Sequence, residues 1–255
     1  MTKIHVQSDV HTEIGLPLGQ HCISDITICA GDIGVIARPD ALKRYFNNLH
    51  EYADEIIWVL GNHEFYHGDY EKTLTQADKF AKEIGIHLLD IELGTENLEV
   101  NGIKFWGSTL WTDMNNSDWF VKKKIGQTLN DHYVISNNGQ TFTPRAAIEI
   151  NQRTREKINW DADVIITHHC PIVTEHRLFP LSEISYGFCN TGLENQILDS
   201  KIKYWIYGHT HDSKTIDLNG TLLVSNQQGY PKTIWGNNEK IFEDPNFNPS
   251  LILEI

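Results

Sequence analysis

The sequence predicts an α/β fold with a largely parallel central sheet, on three observations. Short apolar runs recur along the chain, segments with helical spacing lie between several of them, and the runs end abruptly in Gly, Asp, Asn or His. In such folds, ligands and reacting groups gather outside the carboxyl ends of the strands.

The first run, "KIHVQSD", alternates apolar and polar residues as a strand does, and "DITICA" follows. In "PDALKRYFNNLHEY", Leu42, Tyr45, Phe46, Leu49 and Tyr52 fall three or four apart, with Pro39 suited to the first helical turn. The strand "EIIWVL" comes next, then "DYEKTLTQADKFAKEIG", whose Tyr70, Leu74, Ala77, Phe80, Ala81 and Ile84 share one helical face and whose Gly85 can end it. After the strand "IKFWGS", the segment "TPRAAIEINQRTREKINW" offers a Thr cap followed by Pro144. "DVIIT" and "KYWIYG" read as strands, Asn219-Gly220 as a two-residue hairpin turn, and "LILEI" as a last strand. Residues 112–142 and 171–190 carry no clear period; their Trp, Tyr, Phe and Asn content suits substrate-facing loops as well as ordinary surface loops.

At 255 residues and 40% hydrophobic content the chain can bury one substantial core, and no repeat or Gly/Ser linker divides it, so residues 1–255 are read as a single domain. A strand begins almost at the amino terminus, without a signal-peptide pattern, and no apolar stretch nears the ~18 residues of a membrane span. A soluble, cytoplasmic chain with no membrane partner is expected. Cys22, Cys29, Cys170 and Cys189 form no CxxC pair and are expected to be reduced, separate thiols. A formal net charge of -13 disfavours nucleic acid as a partner, since that affinity comes mainly from Lys and Arg neutralising phosphates. Bound metal ions would still attract a phosphate without a basic patch.

The strand ends carry the chemistry. The first gives "SDVHTE" with Asp9 and His11, the second "CAGDIG" with Asp32, and the third "GNHE" with Asn62, His63 and Glu64. Later runs end in "THHCP", with His168 and His169, and "YGHTHDS", with His209 and His211. Each piece alone is common; because each follows its own strand, all can converge on one edge of the sheet. Carboxylates, imidazoles and an amide oxygen without thiolate suit Mn, Fe, Zn, Co or Ni better than a calcium cage or a zinc-cysteine site. There are too many donors for one four-coordinate ion, and a pair of ions bridged by a carboxylate would use them all.

The order Asp-x-His, Gly-Asp, Gly-Asn-His-Glu, His-His and Gly-His-Thr-His resembles the calcineurin-like metallophosphoesterases, with a match for every signature block from Asp9 to His211. "SNQQGYP" and "NFNPSLILEI" look like the closing segment of a small bacterial branch. The resemblance implies a four-layer α/β/β/α sandwich of two mixed sheets flanked by helices. It also implies two divalent metal ions, one held by Asp9, His11 and His211, the other by Asn62, His168 and His209, with Asp32 bridging. A metal-bridging hydroxide would attack a small phosphate monoester or diester in line. His63 matches the family's catalytic histidine, and Asn62 and His63 would also meet substrate. His168 is preferred over His169 because the first histidine of this block usually binds metal in the family; Glu64 and His169 are expected to support the ligands from behind.

"GDIGVIARPD" lacks the Gly-Asp-x-x-Asp-Arg-Gly stretch of the eukaryotic-type serine/threonine phosphatases, and Cys170 stands where proline is common, read as a small buried residue. His5, His21, His50, His67, His87, His132 and His176 have no motif context and read as structural or solvated. Trp111, Trp119, Arg177, Phe179 and Tyr186 either pack against one another or form an aromatic wall with one arginine over the site, suited to a nucleotide or aryl phosphate. The alternatives are a nuclease of the same superfamily and a non-catalytic protein-binding scaffold, the latter disfavoured because all the proposed ligands and His63 are present.

Overall fold

The computed structural model of the chain describes residues 1–15, 21–175, 181–233 and 240–255. Strands β1 (Lys3–Gln7), β2 (Ser24–Ala30), β3 (Ala53–Val59) and β4 (His87–Leu88) pair in parallel. A second sheet contains β5 (Asn97–Val100) and β6 (Ile103–Ser108). The short strands β7 (Ser136–Asn137) and β8 (Gln140–Thr141) form a separate ribbon. Then come β9 (Val164–Thr167), β10 (Tyr204–Tyr207), β11 (Lys214–Leu218) and β12 (Thr221–Ser225), which complete the second sheet in the order β11-β12-β10-β9-β6-β5. After a small ribbon of β13 (Lys232–Thr233) and β14 (Lys240–Ile241), β15 (Ile252–Glu254) returns antiparallel to β1 and closes the first sheet's edge. Both large sheets are therefore mixed: parallel at the centre, antiparallel at β15, β11 and β5.

Side-chain parity explains why the apolar runs are nearly continuous. Successive residues of a strand face opposite sides, so a strand buried on both faces needs apolar groups at both parities. Ile57 and Val59 of β3, Val164 and Ile166 of β9, and Ile206 of β10 meet in the core between the sheets. Their neighbours Ile56 and Trp58 instead pack on helices α1 (Pro39–Leu49) and α2 (Tyr70–Ile84) through Leu42, Phe46, Leu74 and Ala77. On the other side, Ile165, Trp205 and Tyr207 pack against Leu193 and Ile197 at the helix Glu194–Asp199. The result is the four-layer helix, sheet, sheet, helix arrangement.

The end signals act as their chemistry dictates. Gly85 takes φ 82° to close α2, and the Thr143 hydroxyl accepts from the Ala146 N–H at 3.2 Å to open the helix Pro144–Glu156. Asn219-Gly220, with φ 53° and 98°, turns β11 into β12 as expected. The same dipeptide at Asn101-Gly102 joins β5 to β6, and at Asn138-Gly139 joins β7 to β8. Residues 112–142 also hold the helix Trp119–Thr128. Among the described residues no helix is long and apolar enough to cross a membrane.

His5 shows what a buried histidine on β1 costs. It is 1% exposed, its Nε2–H donates to the Pro249 carbonyl at 3.1 Å, and burial drives its pKa down from 6.5 to about 4. The folded state thus refuses a proton that the unfolded chain accepts, so stability is complete above pH 6.5 and is lost as pH falls toward 4. That difference corresponds to about 3 kcal/mol. Chemical denaturation at a series of pH values should therefore give a shallower slope across this window for His5→Gln, which keeps a donor for Pro249 but does not titrate; an unchanged slope would refute the assignment.

Candidate metal centre

Five parallel strands, β1, β2 and β3 from one sheet and β9 and β10 from the other, deliver their polar ends to one place. The chain must turn at once to aim those side chains at a common point, and the backbone records it. Asp9, His11, Asp32, His209 and His211 adopt φ of 54°, 49°, 52°, 69° and 47°. Residues with a Cβ rarely enter this left-handed region, at a cost of about 1–3 kcal/mol each, unless the surroundings hold them there.

Among the described residues three groups of donors result. Ligand-type atoms of Asp9, His11 and His211 lie within 4.8 Å of one another, as do those of Asp32, His168 and His209, and those of His11, Glu13 and His63. In the first, His211 Nε2 stands 3.1 Å from His11 Nε2 and 3.4 Å from Asp9 Oδ1. In the second, His168 Nε2 is 3.0 Å from Asn62 Oδ1, 3.2 Å from His209 Nδ1 and 3.3 Å from Asp32 Oδ1. Asp32 turns its other oxygen, Oδ2, toward His11 Nε2 at 3.9 Å and so faces the first group as well as its own.

Five of the donors are aimed by a partner on the far side. His168 Nδ1–H donates to the Ala30 carbonyl at 3.0 Å, leaving the Nε2 lone pair inward. Glu13 Oε1 takes His11 Nδ1–H at 3.2 Å, and Glu243 Oε2 takes His211 Nδ1–H at 2.6 Å. Asp131 can only accept, so Asn62 turns its amide nitrogen to it at 2.8 Å and leaves its oxygen toward His168; the Tyr66 hydroxyl donates to the same Asp131 oxygen at 2.8 Å. Asp9 accepts from the Ser8 hydroxyl at 2.5 Å and from the His209 N–H at 3.0 Å.

Glu64 does not face the donors. Its buried carboxylate accepts backbone N–H groups from Asp32 at 2.9 Å, Ile33 at 2.7 Å, Gly34 at 3.3 Å and Gly61 at 2.7 Å. Burial, then the nearby Asp32 charge, pushes its pKa up to about 7 against the pull of those amides. His169 is buried behind His209, ring centroids 4.3 Å apart, with Nδ1 3.3 Å from the Thr109 carbonyl; burial and then His168 lower its pKa to about 3, so it stays neutral. His63 lies at the rim. Its ring stacks on Tyr66 at 4.1 Å, Nδ1 meets Glu13 at 2.9 Å, and Nε2 meets the Tyr230 hydroxyl at 3.2 Å. Burial opposes its charged form, but Asp32 and Glu13 outweigh it and raise its pKa.

The cleft above the donors is lined by Tyr66, Leu129, Asp131, Phe188, Tyr230 and Glu243 among others. Among the described residues, Trp111, Trp119 and Tyr186 of the expected aromatic wall do not line the cleft. Trp111 is 2% exposed and packs on Phe65 and Phe142 in the core, Trp119 points outward at 69% exposure beside Lys123, and Tyr186 lines another groove. Aromatic content in an aperiodic segment does not tell core from cleft. Arg177, Phe179 and His176 lie outside the described residues. Cys170 and Cys189, read as separate thiols, face each other across a buried bridge, and no disulfide joins the cysteines.

The calcineurin-like phosphoesterase family model matches residues 2–213, which contain all of these donors. The chain belongs to that family. An uncharacterized protein, L509, of Acanthamoeba polyphaga mimivirus is 26% identical to this phosphoesterase over 245 residues, covering 88% of this chain and 82% of its own. The crystal structure of the phosphopantetheinyl hydrolase of Mycobacterium tuberculosis superposes with a TM-score of 0.66 at 18% identity, covering 97% of this chain and 98% of that one. A dimetal phosphatase of Danio rerio gives a TM-score of 0.51 at 14% identity, over 91% and 89% of the two chains. These two likenesses concern the fold.

The family uses divalent metals, and the donor set of this phosphoesterase fits them. His168 Nε2, with its other nitrogen donating to Ala30, presents a lone pair to two oxygen acceptors, Asn62 Oδ1 and Asp32 Oδ1, an arrangement only positive charge can reconcile. The same need shows in titration: burial opposes the charged ring, yet Asp32 beside it raises the His168 pKa to about 9. Sequence reasoning missed Glu13, Tyr66, Asp131, Tyr230 and Glu243. Glu13, inside the quoted "SDVHTE", was the one within reach of a motif.

A Cβ at Gly61 would collide with Asp32 Oδ1, stand 2.5 Å from the Asp32 backbone nitrogen and 2.8 Å from His168 Cε1. Gly61→Ala is therefore expected to lower bound metal at least several-fold with far-UV circular dichroism unchanged. Wild-type metal content by elemental analysis would contradict the packing argument.

Proposed function

We propose that the protein is a dinuclear-metal-dependent hydrolase of a small phosphate monoester or diester. Asp9, His11 and His211 would hold one divalent ion, Asn62, His168 and His209 the other, and Asp32 would bridge. The observation that carries this reading is the two-sided carboxylate of Asp32, with Oδ1 3.3 Å from His168 and Oδ2 3.9 Å from His11. A donor set of oxygen and imidazole nitrogen without thiolate favours Mn, Fe, Zn, Co or Ni. Such ions supply positive charge for the phosphoryl oxygens and make a water nucleophilic near neutral pH.

The chain's own groups divide the remaining work. His63, with Nε2 at the cleft and a raised pKa, is suited to hold a proton there and pass it to the leaving oxygen. Asn62 keeps its orientation through Asp131, and Tyr66, Phe188 and Tyr230 offer rings to an organic leaving group. The net charge of -13 favours a small substrate over nucleic acid.

The test is to strip the purified protein of metal, restore Mn, Zn, Fe or Ni singly, and assay a chromogenic monoester beside a diester. Hydrolysis should return with metal, and Asp32→Asn or His63→Ala should lower it by roughly 10²-fold or more with the fold intact. Full turnover by metal-free, folded protein would sink the proposal; the preferred ester narrows the substrate.

A further inference from the structure

We propose that Glu13 is a positioning residue that sets the ring orientations of His63 and His11 together, through a single carboxylate oxygen. Glu13 follows His11 by two residues and its side chain is 9% exposed. Its Oε1 lies 2.9 Å from His63 Nδ1 and 3.2 Å from His11 Nδ1, and the two rings meet edge to face with centroids 4.4 Å apart. Its Oε2 is buried without a hydrogen-bond partner, so the contacts to the two rings are what hold the side chain.

The consequence for both rings follows from hydrogen-bond direction. A carboxylate only accepts, so each Nδ1 that faces it carries hydrogen and each Nε2 is presented on the opposite side. There His11 Nε2 and His63 Nε2 both stand 3.9 Å from the same atom, Asp32 Oδ2. One oxygen thus ties a donor of the metal centre to the histidine at the cleft.

Besides Glu13, the Tyr230 hydroxyl 3.2 Å from Nε2 is the contact observed to resist a flip of the His63 ring. Its backbone N–H donates to Asp32 Oδ1 at 2.8 Å, which anchors the main chain, and stacking on Tyr66 sets the ring plane. Turning the ring by half a revolution about Cβ–Cγ preserves both contacts while exchanging Nδ1 for Cδ2 and carrying Nε2 away from the Tyr230 hydroxyl. The contacts to Glu13 and Tyr230 both distinguish the two orientations, and the bond to Glu13, being charge-assisted, contributes a bias of roughly 10- to 100-fold.

The kinetic part of this inference rests on the phosphoesterase reading above; the orientation itself does not. The test compares Glu13→Ala and Glu13→Gln with wild type in the full chain loaded with zinc, by nitrogen NMR of the imidazole rings. Wild type should show Nδ1–H on both His11 and His63. Glu13→Ala should alter both together, and Glu13→Gln, whose amide oxygen still accepts, should restore both. With a hydrolysable ester, Glu13→Ala should lower kcat roughly 10- to 100-fold with KM within about 3-fold, and Glu13→Gln should recover most of it. If Glu13→Ala does not fold, Glu13→Asp, which draws the oxygen back by one methylene, should give the same joint change. Ring signals that move singly or not at all overturn the inference. If wild type hydrolyses no ester, the functional reading fails while the ring signals still decide the role of Glu13.

Discussion

Four backbone N–H groups from two separate turns converge on the buried carboxylate of Glu64, and the arrangement of the metal centre depends on that convergence. Three come from residues 32–34, after β2, and one from Gly61, after β3. Neither turn can pair these donors within a sheet, because each lies beyond the end of its strand. A buried amide without an acceptor costs about 1–3 kcal/mol. One side chain relieves four of them and fixes the distance between Asp32 and Asn62. The sequence Gly-Asn-His-Glu at the end of β3 is thus a working unit. Gly61 lets Asp32 approach, Asn62 and His63 face inward, and Glu64 turns back to hold the neighbouring turn.

The same logic accounts for the backbone strain. Five of the inward-facing residues carry positive φ, and no single one would be expected to adopt it in isolation. They persist because both sheets are packed on both faces and because Ser8 holds Asp9, Glu13 holds His11, Glu64 holds the Asp32 N–H and Glu243 holds His211. The layered core exists for its own hydrophobic reasons, but its rigidity is what lets strained turns survive at its edge.

Much of this was legible in the sequence, for identifiable reasons. Strand ends were readable because burial on two faces makes the runs continuously apolar, so Asp32, Asn62, His168 and His209 stand out by contrast. Helix ends were readable where Gly85 and Thr143 act locally. Two further Asn-Gly turns, at 101–102 and 138–139, are harder to read because β5 before the first and both strands around the second are only four or two residues long. The supporting residues were hidden for a different reason. Asp131 and Glu243 reach the donors across 69 and 32 positions, at Asn62 and His211, and no local pattern links them. The misplaced aromatic wall has the same origin: Trp111 and Tyr230 are both aromatic residues in loops, and only the packing of Phe65 and Phe142 draws the first into the core.

Charge is the remaining constraint. Asp9, Glu13, Asp32, Glu64, Asp131 and Glu243 all gather around the centre. Among the described residues their partners are amide N–H groups, hydroxyls and imidazoles, with Lys232 reaching Glu243 at 3.4 Å. Neutral dipoles satisfy hydrogen bonds but do not cancel that much negative charge, and in a site this buried the repulsion is weakly screened. The raised pKa values of His63, His168 and His211 are the response available to the protein alone. Divalent cations answer the same demand more fully, and they decide what the cleft attracts: its carboxylates repel a phosphate, whereas with ions in place it draws one. A strongly acidic chain can therefore be selective for a phosphoester without a basic surface, because its attraction for the anion is conditional on the metal and confined to the few ångströms around it.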